Sequence, residues 1–325
     1  MSNLEKEPAE VVVTMTASAS ASVEMLEPRD VPLGGARAMS VRRTLPQRAR
    51  SLIGAWCFVD HYGPDLVSKT GGMTVPPHPH TGLQTVSWLF EGEIEHRDSV
   101  GSHAVVLPGE LNLMTAGRGI QHSEVSLPDT TVLHGAQLWI ALPDAARHVE
   151  PFFERFVPDA FEFEHATVRV FLGELLGRQS TARTFTGVVG AQLDIPADDT
   201  VTLPLNSAFE HGVLVDAGAP LIDGHAVASA ELAYLATGRE AIVIETRGEP
   251  ARLLLIGGEP LGEPIVMWWN FIGRSHEEIV AYRERWQADV IANGDLHGPF
   301  GAISGYDGTA LPAPVMPNVR LRPRD

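Results

Sequence analysis

Two histidines one residue apart, His78 and His80 in "PPHPHTGLQTV", stand immediately before a strand-like run. Side chains at i and i+2 of a strand point to the same face, so the two imidazoles can converge on one point. An isolated pair of this kind is more often a set of partnered polar residues than a metal site. A second pair changes that weighing. His122 and Glu124 in "GRGIQHSE" repeat the i, i+2 relation just after a glycine turn, where the backbone can bend sharply. Together the pairs offer three imidazoles and one carboxylate, a donor set suited to a divalent transition metal with coordination positions left open.

The segments that must carry these residues read as short strands. From about residue 40 to 165, "TVSWLF" and "IEHRDS" flank Glu91-Gly92, and "HAVVL" and "LNLMTA" flank Pro108-Gly109-Glu110. Both junctions carry hairpin signals, and "VLHGAQLWIAL" is a further long strand. A second strand-rich stretch covers about 168–266, with Asp223-Gly224 expected at the tip of a type I′ hairpin. A helix is expected from Ser275, where Ser275 and Glu278 form a capping box and Ile279, Tyr282 and Trp286 recur at helical spacing. The fold class is therefore all-β, two sandwiches or barrels in tandem followed by a C-terminal helix and an irregular tail.

Expected boundaries are a flexible extension over 1–35, a metal-binding barrel over 36–165, a metal-free barrel over 166–270, and the helix and tail over 271–325. Nine of the thirteen histidines lie between His61 and His165. The chemistry is thus expected in the first barrel, since His211 and His225 lack a second ligand pair.

A net charge of −17 argues against a general nucleic-acid binder. Five arginines in "ARAMSVRRTLPQRAR" are the local exception, expected as a solvated face or, less favourably, an anion patch. Cys57 is the only cysteine, which excludes an internal disulfide and a thiolate cluster; its apolar setting suggests an inert buried thiol. There is no secretory signal pattern and no apolar run long enough to span a bilayer, so a cytoplasmic location is expected.

"GGMTVPPHPHTG", "LPGELNLMTAGRGIQHSE" and "HGAQLWIAL" together closely resemble the pirin family of the cupin superfamily. The likeness extends back through "VRRTLPQRARSLIGAWCFVDHYGPD" and forward to "GGEPLGEPIVMWWNFIGRSHEEI", roughly residues 36–290. The resemblance implies a bicupin with a metal, usually iron as Fe(II), in the N-terminal domain, with His78, His80, His122 and Glu124 as ligands. It also implies a dioxygenase acting on a chelating flavonol such as quercetin. The alternative it carries is a non-enzymatic, redox-responsive iron protein acting through protein partners, for which the segment 37–50 would be a contact surface.

One departure stands out. The family reads "HPHRGFETV" where this chain has "HPHTGLQTV", so Thr81 and Gln84 replace an arginine and a glutamate. On an unbroken strand Gln84 would share the face of His78 and His80 and border the pocket, where an amide cannot serve as a general base. The remaining histidines carry plainer expectations: a structural hydrogen bond for His134, solvent for His96 and His103, and a turn for His61.

Overall fold

The computed structural model describes residues 23–33, 39–294 and 297–323. The first domain is built from β2 to β12, and β1 (Glu24–Leu26) precedes it. These strands are β2 (Arg29–Leu33), β3 (Met39–Leu45), β4 (Trp56–Leu66), β5 (Thr74–His80), β6 (Leu83–Glu91) and β7 (Ile94–Asp98). They continue through β8 (His103–Val106), β9 (Leu111–Thr115), β10 (Ile120–Ser126), β11 (Val132–Ala141) and β12 (Phe152–Phe156). They form two facing antiparallel sheets, ordered β12-β9-β6-β11-β4-β3-β2 and β5-β10-β7-β8. The second domain repeats the plan, with a seven-stranded sheet around Ala251–Gly258 and a four-stranded sheet around Ala241–Glu245. The expected barrels are thus open pairs of sheets.

The large sheet of the first domain is buried on both faces, which is why β6 has no polar/apolar alternation (Leu83 to Leu89 are all buried). Odd-numbered residues of β6 face the small sheet, as the contact of Ser87 with Glu124 shows. Even-numbered residues face the second domain, where the Trp88 indole N–H donates to Gln192 at 2.8 Å. Trp56 crosses the same boundary, its N–H donating to the Gly257 carbonyl. An apolar cluster including Trp56, Trp88, Leu138, Phe171 and Leu254 cements the two domains. The second domain encloses a large apolar cluster dominated by Val, Leu and Ile.

Several local expectations change. The junctions at Glu91-Gly92 and Pro108-Gly109-Glu110 are not hairpins; at each the chain crosses from one sheet to the other. A turn signal marks a reversal but not which sheet receives the next strand. The hairpin at Asp223-Gly224 does form, both residues at positive φ. The extension expected over 1–35 falls partly outside the described residues. Within them, β1 pairs with Leu232–Leu235 of the second domain and β2 with β3.

In the arginine-rich segment Arg43 is buried, Arg42 and Arg50 are half-buried and Arg48 is exposed, while Arg37 lies outside the described residues. Arg43 makes a fully buried bidentate pair with Asp60, Arg42 donates to the Gly63 carbonyl, and Arg50 bonds Glu24. Cys57 is buried, as its setting suggested.

The helix His276–Arg285 starts at Ser275, whose hydroxyl accepts from the Glu278 N–H, and continues as a π-helical stretch over Trp286–Ala292. The following segment straps back over the small sheet. Leu311 N–H donates to the Pro77 carbonyl, and the Gln121 amide donates to the Gly301 carbonyl. Among the described residues no helix is long and apolar enough to cross a membrane.

Candidate metal centre

The metal-competent residues sit on the inner face of the small sheet, and strand register explains their convergence. In the β5–β10 ladder His78 lies directly opposite His122, and His80 lies opposite Ile120. Opposed residues of an antiparallel pair share a face, so the imidazoles of two strands meet without any long excursion. Gly117 makes the entry to β10 possible. Its φ is +50°, and a Cβ there would stand 1.9 Å from the Val149 carbonyl oxygen.

His78, His80 and His122 are all fully buried, and one ligand atom from each lies within 4.8 Å of the others. His80 Nε2 and His122 Nε2 are 3.1 Å apart. His78 Nδ1 donates to the Pro76 carbonyl at 2.8 Å, which leaves its Nε2 as a lone pair. That Nε2 is buried and has no hydrogen-bond partner among the described residues. Burial pushes all three imidazoles below their ordinary pKa, so they are neutral near pH 7. Three buried neutral imidazoles aiming ring nitrogens at one point fit a divalent transition metal well. As a purely structural cluster the same arrangement is costly, since it leaves a buried polar nitrogen unsatisfied.

Glu124 lies beside this triad, not in the same tight set. It clusters with His96 and His122, and its Oε1 is 3.3 Å from Ser87 Oγ. The irregularity in β5–β10 pairing between His122 and Glu124 accounts for the offset.

His96, expected in solvent, is buried. It sits opposite Glu124 in the β7–β10 ladder and stacks on Phe153 with ring centroids 4.7 Å apart. Its Nε2 is 3.1 Å from Asp98 Oδ2, and its Nδ1 is 3.4 Å from His122 Nδ1. Asp98 accepts backbone N–H bonds from Val100 and Ser102 on its other oxygen. The tautomers then follow from the network. His96 donates from Nε2 to Asp98, its Nδ1 accepts from His122 Nδ1–H, and His122 Nε2 keeps its lone pair facing His80. An outer carboxylate–imidazole pair thereby orients a candidate ligand. The alternation Ile94, His96, Asp98 was the available signal for it.

Gln84 departs from expectation. The strand breaks at Gly82, whose φ is +68° and whose α-carbon faces the Ile272 carbonyl too closely for a side chain. β6 restarts in the other sheet, and Gln84 shares the parity of Val86 and Trp88, toward the second domain. Its amide donates to Thr115 Oγ1 and to the Arg183 carbonyl, both at 2.9 Å. It does not border the triad, and its position lends nothing to a base role.

His61 is likewise not a turn residue. With His134 it meets Asp216 of the second domain, their Nε2 atoms 2.5 and 2.6 Å from Asp216 Oδ1. Arg252 occupies Asp216 Oδ2 at 2.6 Å. A cation fits this cluster poorly, because a guanidinium already neutralises its only carboxylate. His211 is buried in the second domain, and His225 is exposed at the hairpin tip.

Comparisons with known proteins agree with this layout. Residues 38–140 match the family model described as Pirin, and residues 190–291 match the Pirin C-terminal cupin domain. A Pseudomonas aeruginosa protein named "Putative quercetin 2,3-dioxygenase PA1205" is 42% identical, over 89% of each chain. A pirin-like protein of Caulobacter vibrioides is 36% identical, over 80% of this chain and 92% of its own. The crystal structure of a quercetin 2,3-dioxygenase from Acinetobacter baumannii is similar at a TM-score of 0.86 and 39% identity. The match covers 93% of this chain and 97% of that one.

Proposed function

Since the chain belongs to the pirin family of two-domain cupins, we propose that it is an iron-dependent dioxygenase acting on a flavonol such as quercetin. The observation that carries this reading is the convergence of ring nitrogens, with His80 Nε2 and His122 Nε2 3.1 Å apart and His78 Nε2 left as a buried lone pair. His78, His80 and His122 would hold the metal, with Glu124 as the anionic ligand. Fe(II) there would supply a Lewis acid and a template that brings a chelating hydroxy-ketone together with O₂.

The chain's own residues do the rest. His96 and Asp98 hold the His122 ring in its ligating orientation. Glu124, whose Oε1 lies 3.3 Å from Ser87 Oγ, can take the proton that the substrate hydroxyl gives up on binding. Phe58, Trp139 and Phe153 exclude water beside the triad; Trp139 stands edge-on to His80 at 5.0 Å.

For the partner-binding alternative, Arg42, Arg43 and Arg50 are engaged within the protein, whereas Arg48 is exposed. The test is metal analysis of anaerobically purified protein, followed by oxygen uptake with quercetin. About one iron per chain and uptake above a no-protein control are expected. A metal-loaded protein that consumes no flavonol would refute the activity.

A further inference from the structure

Facing the triad, the large sheet of the first domain presents two side-by-side rows of different character. One row is formed by direct cross-strand neighbours Asn112, Ser87, Gln137 and Asp60, ending in Arg43 on β3. The adjacent row runs Phe153, Met114, Thr85, Trp139 and Phe58. Ser87 touching Glu124, and Trp139 beside His80, place both rows against the candidate metal centre. The second domain instead encloses a large Val-, Leu- and Ile-rich cluster.

Half of the polar row is satisfied within the protein. Asp60 is paired to Arg43, and Ser87 Oγ donates to Gln137 Oε1 at 2.9 Å. The other half is not. Asn112 Nδ2 and Oδ1 and Gln137 Nε2 in that row, with the neighbouring Tyr62 hydroxyl and Trp139 Nε1, are all buried without a hydrogen-bond partner among the described residues. Asn112 is 2% exposed and Gln137 is 1% exposed, so bulk water does not satisfy them. Buried polar groups in native proteins are almost always bonded, and such exceptions concentrate where a ligand or ordered water completes the set. Four of these five atoms belong to donor groups.

We infer that Asn112 and Gln137 are specificity-determining residues, donating hydrogen bonds to acceptor oxygens of an aromatic ligand whose hydroxy-ketone end faces the histidines. This deepens the reading above and rests on it. A donor-rich wall next to an aromatic wall selects a planar, polyoxygenated ring system, its carbonyl or ionised hydroxyl oxygens accepting from the amides. A purely aliphatic chelator would leave those donors unsatisfied, and sites built to hydrogen-bond a substrate discriminate strongly against analogues that cannot do so.

The experiment compares wild type with Asn112→Leu, both iron-loaded and anaerobic, for metal content, Tm, and binding of quercetin and of tropolone. Tropolone is a small aromatic hydroxy-ketone. Asn112→Leu is expected to keep its metal, to melt no lower than wild type, and to bind at least about ten-fold more weakly. Unchanged affinity for the ligands that wild type binds overturns the inference. So does a Tm lowered by several degrees with affinity intact, which would make the amide a structural element. A wild type that binds tropolone but turns over no flavonol refutes the proposed activity alone, and the inference is then decided by the variant's tropolone affinity. A wild type that binds neither overturns both.

Discussion

His61 Nε2 and Asp216 Oδ1 lie 2.5 Å apart across the boundary between the two domains. His134 reaches the same oxygen and Arg252 the other, so one fully buried carboxylate gathers donors from β4, β11 and the second domain. Removing one partner of a buried ionic cluster leaves the rest uncompensated. Asp216→Ala should therefore lower stability by about 3–5 kcal/mol. Chemical denaturation checks this, and a loss below about 1 kcal/mol would mean that the cluster relaxes freely.

Acid should weaken the fold before its carboxylates titrate. Burial pushes His61 below its ordinary value and His211 down to about 4. Below pH ~6.5 the unfolded chain takes up protons that these folded imidazoles refuse. Each then removes up to about 1.4 kcal/mol of stability per pH unit, for His211 down to about pH 4. Asp216 acts at lower pH. Burial raises its carboxyl, but hydrogen bonds from His134 and His61 outweigh this and hold it well below the usual range. Its contribution is present above the ordinary carboxylate pKa and is lost as pH falls through the depressed one. Melting curves from pH 7 to 4 should show a decline that is shallower in His211→Phe. An identical slope in that variant would exclude His211 as a contributor.

His80→Ala and His122→Ala should each purify nearly free of metal while retaining wild-type circular dichroism. Retention of full occupancy by either would show that the triad is not the binding site.

His96→Phe should preserve stacking on Phe153 while removing the acceptor for His122 Nδ1–H. The loss of an outer-shell partner typically costs 10–100-fold in metal affinity. Competition with a chelator measures this, and wild-type affinity would reduce His96 to a packing residue.

Gln84→Glu would place a carboxylate beside the Arg183 carbonyl, in an interface without a compensating cation on Gln84 among the described residues. It should lower Tm and leave any flavonol turnover no faster. A ten-fold gain in rate would restore Gln84 to the pocket.

The ligand candidates were legible because a period of two needs no knowledge of tertiary structure. His78 and His80, like His122 and Glu124, share a face on any strand. The fold class followed from the density of turn signals, and the family resemblance supplied its detail. What failed was whatever depended on which sheet a strand joins. Gln84 was misplaced because Gly82 ends one strand and begins another in the opposite sheet. His96 and His61 were misplaced because their partners, Phe153 and Asp216, are distant in sequence. The polar row had no local signature, since Asn112, Ser87, Gln137 and Asp60 come from four different strands.

The chain's two ends exchange sides. β1 completes a sheet of the second domain, while Asn270, Gly301 and Leu311 lie against the strands of the first that carry the histidine triad. A ribosome making this protein therefore releases the triad's strands long before the segment that covers them. With over two hundred residues separating His78 from Leu311, the first domain cannot be covered until the second has been synthesised. A divalent metal ion supplied to the nascent chain would therefore meet an uncovered triad. Pulse-labelled ribosome-bound chains truncated after residue 165 should bind iron more loosely than released full-length protein; equal retention would show that the covering segment plays no part.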